Sequence, residues 1–306
     1  MTFILTTLNS AIRLTTPIAY VTLAAVIMEK SGINALAMEG IMLMGSFGAV
    51  LGSYLFGSPW AGLVVAVIFS VAATTIRAWL CIRHEANQTV SGIGMNIFVA
   101  GATAMLVKVI WGQSGKSEMV NNLTDWTIPG INKIPVLGDL LGKQNPLVYI
   151  LIVIIPVCWV LMNKTAFGLR MAVAGEKPEV LSSLGLKVSK YRYWANILAG
   201  VLSGLGGAYL SIGQLSFFSN EMTSGRGYMA LAACVFGRWS VIGGTIGAFL
   251  FGLADAVQMR LQSSVQYTQF IQMIPYLVTL LVLCLHFGGK KSGAPAASGK
   301  PYKEQQ

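Results

Sequence analysis

The stretch NKTAFGLRMAVAGEKPEVLSSLGLKVSKYR, residues 163–192, decides how the rest of the chain is laid out. Apolar runs of spanning length flank it on both sides, and it carries Lys164, Arg170, Lys177, Lys187, Lys190 and Arg192. Short loops rich in Lys and Arg stay on the cytoplasmic side of a membrane. Within it, Pro178 suits a first helical position, where no N–H donor is needed, and Glu179 follows where the helix dipole favours an anion. Gly185 supplies the stop. The pattern predicts a helix of about seven residues within 176–185, with Val180, Leu181 and Leu184 on one side. A helix this short does not persist alone in water. It rests either on lipid headgroups as an interfacial turn, or on a cytoplasmic partner with Glu176, Lys177 and Glu179 facing the partner's polar rim.

Working outward, the 306 residues are 55% hydrophobic and 10% charged, against roughly 25% charged in soluble domains. About 20 apolar residues cross the hydrocarbon core. Runs of that kind recur at about 12–29, 34–57, 60–80, 89–111, 146–162, 193–213, 222–237, 240–259 and 269–288. The expected fold is therefore all-α and polytopic, with about nine transmembrane helices in one domain, residues 1–288. PIAYVTLAAVIM, residues 17–28, reads as a retained span, because no basic n-region or small-residue cleavage site accompanies it. A separate interfacial helix over residues 1–13 is an open alternative for the N-terminus.

Four crossings separate 163–192 from the basic tail, which holds Lys290, Lys291, Lys300 and Lys303, so both fall on the cytoplasmic side. The N-terminus and the loop 112–145 then lie outside. Residues 289–306 are Gly, Pro, Ser and Lys rich and are expected to form a disordered basic cytoplasmic tail. The net charge of +10 sits in these loops and in the tail, so it does not indicate a nucleic-acid surface. Cys81, Cys158, Cys234 and Cys284 lack C-x-x-C spacing and neighbouring histidines, so neither a disulfide framework nor a metal site is expected. His84 and His286 lie far apart, and no H-E-x-x-H or G-x-S-x-G element occurs, so no catalytic residue is expected. GQSGKS, residues 112–117, has its glycines three apart where a phosphate-binding loop needs five, and reads as a plain loop.

The two halves share a pattern. AMEGIMLMGSFGAVLGSYLFGSPWAGLVVAV opens at Glu39-Gly40 and turns near Trp60; TSGRGYMALAACVFGRWSVIGGTIGAFLFGLADAV opens at Arg226-Gly227 and turns near Trp239. The first starts from inside and the second from outside, which makes them inverted repeats, and such transporters place their pathway at the repeat interface. Gly40, Gly225 and Gly227 are the pathway glycines on this reading. For Gly48-x-x-x-Gly52, Gly200-x-x-x-Gly204 and Gly243-x-x-x-Gly247, close helix packing is sufficient. Intramembrane polar groups mark candidate pathway positions: Glu39, Gln88, Asn96, Asp255 and Gln258. Asp255 has the alternative of a structural pair with Arg226. Phe217 and Phe218 are placed either to stack on a solute ring or to form an interfacial aromatic belt.

GLRMAVAGEKPEVLSSLGLKVSKYRYWANILAGVLSGLGGAYLS resembles the coupling loop and following span of permease subunits of ABC importers, the class handling ribose, nucleosides and branched-chain amino acids. SGINALAMEGIMLMGSFGA, QTVSGIGMNIFVAG, IPVLGDLL and GRGYMALAACVFGRWSVIGGTIGAFLFGLADAVQ are also similar to that family, nearest its nucleoside and simple-sugar branch. The resemblance covers Ile33 to His286. Members commonly carry Asn four residues before the Glu-Gly pair, where this chain has Ala35, with Asn34 one step earlier.

The resemblance implies a multi-pass subunit of the bacterial plasma membrane that imports a nucleoside or simple sugar. It implies partners: a cytoplasmic ABC ATPase that binds ATP and Mg, a second permease subunit, identical or homologous, and an extracytoplasmic solute-binding protein. No cofactor is implied in this chain. Contact with the ATPase would run through Arg170, Ala174, Gly175, Glu176, Pro178, Glu179 and Gly185. The competing class is a secondary transporter driven by an ion gradient, which also uses inverted repeats and midplane polar groups.

Overall fold

A computed structural model describes residues 2–127, 140, 142–262, 277, 293–300 and 302. The expected span at 269–288, with Cys284, lies outside the described residues apart from residue 277, as do most of IPVLGDLL and tail residues 289–292, 301 and 303–306. The helices are α1 (Thr2–Lys30), α2 (Met38–Phe56), α3 (Pro59–Arg83), α4 (Gln88–Trp111), α5 (Pro146–Lys164), α6 (Ala166–Glu176), α7 (Pro178–Ser183), α8 (Val188–Ala208), α9 (Arg226–Phe236) and α10 (Val241–Gln262). Helix α8 continues into a π-helical turn at Tyr209–Leu215. A small antiparallel pair, β1 (Trp126–Thr127) and β2 (Lys143–Gln144), closes the loop between α4 and α5.

Among the described residues, seven helices are long and apolar enough to cross a membrane. Helix α1 forms the centre, packed against α8, α9 and α10, while α2 packs on α3 and α8. Helices α1 and α8 are mostly enclosed, whereas α3, α4 and α5 turn most of their apolar surface outward, as lipid-facing helices do. Their close approach rests on small residues: a Cβ at Gly204 would stand 3.0 Å from the Val67 Cα, and one at Gly200 2.8 Å from the Val71 Cα. The G-x-x-x-G pairs thus mediate packing.

Helix α1 runs without a break through Pro17, so the N-terminus forms no separate interfacial helix. Proline removes one ladder donor, which frees the Arg13 carbonyl. That carbonyl accepts from Gln214 Nε2 at 3.4 Å, a repair by a neighbouring polar side chain of the kind membrane helices rely on. The Arg13 guanidinium pairs with Asp125 at 3.4 Å and donates to Gln144 of β2 at 3.1 Å, so it is held by the α4–α5 loop.

The expected crossing at 222–237 is instead a half-helix. Helix α9 has 11 residues, about 16 Å at 1.5 Å per residue, roughly half the hydrocarbon thickness. Residues 216–225 supply irregular backbone before it, with Ser216, Glu221 and Ser224 at positive φ. Such backbone is tolerated at membrane depth only where it is buried in protein or lines a cavity. The inverted pattern is realised in space. The N-termini of α2 and α9 meet, while their C-terminal ends diverge: Gly57, after α2, accepts from Asn121 of the α4–α5 loop, and Trp239, after α9, donates to Glu29 near the end of α1 at 3.0 Å.

The basic interruption forms two helices, α6 and α7. Helix α6 is capped by Thr165, whose hydroxyl accepts from Gly168 N at 3.1 Å. Helix α7 has Pro178 at its start, Glu179 in its first turn and Gly185 beyond it at φ +71°. The expected apolar side is only partly used: Leu181 is buried, but Val180 and Leu184 are exposed at 46% and 70%. The tail also departs from expectation in its described residues. Ala297 and Gly299 donate backbone hydrogen bonds to Gly175 and Gly32, which places the tail at the same end of the molecule as α6 and α7. Polar composition did not prevent packing, because the contacts are backbone donors meeting accepting carbonyls, one at the end of α6 and one in the α1–α2 turn.

Candidate functional site

The first turns of α2 and α9 carry backbone N–H groups that have no partner within their own helices. Neither helix has a side-chain cap from its own N-cap residue, Ala37 or Gly225. The caps come from other helices. Glu39, in the first turn of α2, accepts from Gly225 N at 2.8 Å and from Gly227 N at 2.7 Å, one bond to each carboxylate oxygen. A carboxylate is favoured at that end of α9 by the helix dipole as well as by the donors. Asn96, on α4, accepts from Gly40 N at 2.8 Å and donates to the Leu36 carbonyl at 2.9 Å.

This arrangement requires glycine. A Cβ at Gly227 would lie 2.5 Å from the Glu39 Cα, and one at Gly40 would lie 2.9 Å from the Asn96 Cα. The corresponding positions of the two repeats, Glu39-Gly40 and Arg226-Gly227, thus touch each other. Asn96 Nδ2 also donates to the Tyr228 hydroxyl at 2.9 Å.

A cavity of about 320 Å³ opens at this junction, near the lower end of the range for small-molecule pockets. Its polar lining is Glu39, Asn96, Glu221, Thr223, Ser224 and Tyr228, and Leu43, Ile97 and Ala100 supply apolar wall. No Lys, Arg or His lines it among the described residues. Sequence reasoning missed Glu221, Thr223, Ser224 and Tyr228. The signal was their adjacency to Gly225 and Gly227, which marks the same half-helix start.

Other expected pathway residues lie elsewhere. Gln88 is buried near the opposite end of α4 from the α4–α5 loop; it accepts from Asn34 N at 2.8 Å and donates to Gly32 O, so it ties the α1–α2 turn. The shifted Asn34 caps locally, its side chain accepting from Leu36 N at 3.0 Å, while Ala35 N donates to Glu29. Phe217 is half-buried beside the π-helical turn and does not line the cavity. Phe218 is fully buried, edge-on to Phe47 at 5.5 Å, and so is core rather than belt or stacking platform. Asp255 and Gln258 are half-buried on α10, away from the cavity lining, and the Arg226 guanidinium donates to the Met222 carbonyl at 3.3 Å and the Thr223 carbonyl at 3.4 Å rather than forming an ion pair with Asp255.

At the basic end, Ala174 is fully buried, and Gly175 packs so closely on the α1–α2 turn that a Cβ there would collide with the Lys30 carbonyl. Arg170 donates to the Tyr191 hydroxyl at 3.3 Å, which fastens α6 to α8. Glu176, Glu179 and Gly185 are exposed or nearly so, and Leu169, Val180 and Leu184 add exposed apolar surface.

These features define a polytopic helical membrane protein with an inverted repeat around a polar cavity. The chain belongs to the family described as branched-chain amino acid transport system, permease component, which it matches over residues 7–283. It is 33% identical over 298 residues to the guanosine ABC transporter permease protein NupQ of Bacillus subtilis, covering 94% of this chain and 92% of that protein. It is 31% identical to the nucleoside ABC transporter permease protein NupC of Lactococcus lactis, covering 94% and 93%. Its fold is similar to an inward-facing ABC transporter of the metal-chelate type, with TM-score 0.54, 15% identity, and coverage of 92% of this chain and 87% of that one. It is also similar to PsaBC from Streptococcus pneumoniae in complex with Fab, with TM-score 0.52, 12% identity and coverage of 90% of each.

The protein is thus a multi-pass ABC transporter permease, a non-catalytic membrane subunit of a system whose ATPase is separate. The ion-gradient alternative finds no support.

Proposed function

We propose that this chain forms the translocation pathway of an ABC importer for a nucleoside, with the cavity at the α2–α9 junction as a station for the solute. The carrying observation is the cavity's charge pattern. Helix N-termini commonly bind anionic groups, but here Glu39 already occupies that of α9 and Asn96 caps that of α2. With carboxylates present and no cationic side chain in the described lining, an amino acid's carboxylate or a phosphate finds no partner. A neutral solute with several hydroxyls does. Asn96 occupies the Tyr228 hydroxyl as acceptor, which leaves its hydrogen to donate to such a solute, and the half-exposed phenol ring offers a face to a nucleobase. The nucleoside relatives support this reading.

In this reading α6 and α7 dock on a cytoplasmic ATPase that binds ATP and Mg, and the exposed Leu169, Val180 and Leu184 supply the apolar contact. Nucleotide-driven closure moves them as a rigid body. A contiguous path leads from there to the cavity: Gly175 against Lys30, Gln88 bonded to Asn34, and Glu39 bonded to α9. A second permease subunit, identical or homologous, and a solute-binding protein on the face of the α4–α5 loop complete the importer, in a bacterial plasma membrane with the C-terminus cytoplasmic.

The test is uptake of radiolabelled guanosine, ribose and leucine by the full complex in liposomes. Guanosine uptake that falls about tenfold in Tyr228→Phe, with complex assembly intact, is the expected result, since the variant loses the hydrogen bond to the solute as well as the one from Asn96, each worth roughly 0.5–1.5 kcal/mol. Uptake of leucine in preference to guanosine would reject the solute class.

A further inference from the structure

The described tail residues lie across the seam between the coupling helices and the membrane core. On one side of the seam, the Gly175 carbonyl in the last turn of α6 has no acceptor role within the helix's remaining length, as carbonyls there do not; it accepts from Ala297 N at 2.9 Å. On the other side, the Gly32 carbonyl in the α1–α2 turn accepts from Gly299 N at 3.3 Å. Alternate tail residues therefore bond two different elements. Side chains add to both flanks: Glu176 accepts from Ala296 N at 3.3 Å, Glu29 accepts from Ser298 Oγ at 3.4 Å, and Gln88 Nε2 donates to the Lys300 carbonyl at 3.4 Å.

The tail is shaped for this seat. Its own turns are closed by Ser298 N to Pro295 O at 3.0 Å and Lys300 N to Ala297 O at 3.2 Å, and Pro295 is buried. Beyond them, the guanidinium of Arg192, only 3% exposed and with Nε and one terminal nitrogen lacking hydrogen-bond partners, lies 5.9 Å from the centre of the Tyr302 ring. A desolvated cation is stabilised by an aromatic face at that range.

We propose that the C-terminal tail is a strap of the coupling machinery, which fastens α6 to the α1–α2 turn so that motion imposed on α6 and α7 reaches Glu39 in both directions. The physical need is specific. Gly175 packed on the Lys30 carbonyl is a van der Waals contact, steeply repulsive on approach and weak on separation. It transmits a push. Hydrogen bonds from one segment to both sides of the seam resist separation, so they transmit a pull. The proposal rests on α6 and α7 being the ATPase dock.

The test uses the complete importer in liposomes, with the full-length chain, a chain ending at residue 292, and Ala297→Pro, which deletes the donor to Gly175. Co-purified ATPase, ATP hydrolysis and guanosine uptake are measured together. The expected result is retained ATPase and hydrolysis in both variants, with solute moved per ATP reduced about fivefold, the low end of the range for allosteric coupling. An unchanged ratio overturns the strap. So does a rise of uptake and hydrolysis together, which would make the tail a brake, or loss of the ATPase from both variants, which would make it a docking element. The docking premise is judged separately by Leu184→Asp in the full-length chain: if that variant keeps its ATPase, the premise fails irrespective of the tail.

Discussion

At the residue scale, Glu39 is a clamp as much as a lining group. Both of its oxygens are committed to backbone donors of α9. Glu39→Gln keeps one acceptor and turns an amide donor toward the other N–H, so an unpaired donor remains in the membrane interior, at a cost of about 1–3 kcal/mol. The expected outcome is a marked loss of uptake with ATPase assembly unchanged in pull-down, and an assembled, fully active variant would remove Glu39 from the pathway. Gly227→Ala places a methyl 2.5 Å from the Glu39 backbone, so the clamp must open or the helices must part. Thermal unfolding in detergent should show a lower midpoint for Gly227→Ala. For Gly94→Ala, at a position where a Cβ meets nothing within 4 Å, no shift is expected.

At the element scale, α6 was the helix that sequence reading passed over, because its Gly168 and Gly175 look like breaks. Both glycines serve close approach: Gly168 to α5 and Gly175 to the α1–α2 turn. Helix α7 was readable from Pro178, Glu179 and Gly185, since helix ends are local chemistry. Its exposed Val180 and Leu184 were not, because the side on which a six-residue helix rests depends on what else is present. Glu176→Lys reverses charge at the edge of this pair and removes the acceptor for Ala296 N. Hydrolysis without proportionate uptake is expected, and normal coupled uptake would reject the assignment of this edge to coupling.

At the scale of the whole molecule, orientation is open to a direct measurement. The described native cysteines, Cys81, Cys158 and Cys234, are buried, so single cysteines introduced at exposed Leu184 and Met119 can be compared. In intact cells a membrane-impermeant maleimide should label Met119→Cys and not Leu184→Cys, and inverted vesicles should reverse the pattern. Labelling of both from one side would break the topology. The tail belongs to the same test, since its hydrogen bonds to Gly175 and Gly32 require it to share a side with α7.

Length, apolarity and the placement of Lys and Arg were enough to read a polytopic helical membrane protein from the chain alone, because the cost of polar backbone and charge in hydrocarbon acts on each segment separately; that it is a permease rested on its resemblance to a family. The repeat and its Glu-Gly and Arg-Gly positions were legible for a related reason: glycine and charge are rare together at membrane depth. Which polar residues converge was settled only in three dimensions. Asn96 reached the cavity and Gln88, two turns earlier on the same helix, reached the α1–α2 turn instead, since the partner of a buried polar group is chosen by the neighbouring helix and not by its own sequence. The half-length of α9 and the seating of the tail were decided in the same way, by unpaired backbone groups that only the packed structure brings within reach of one another.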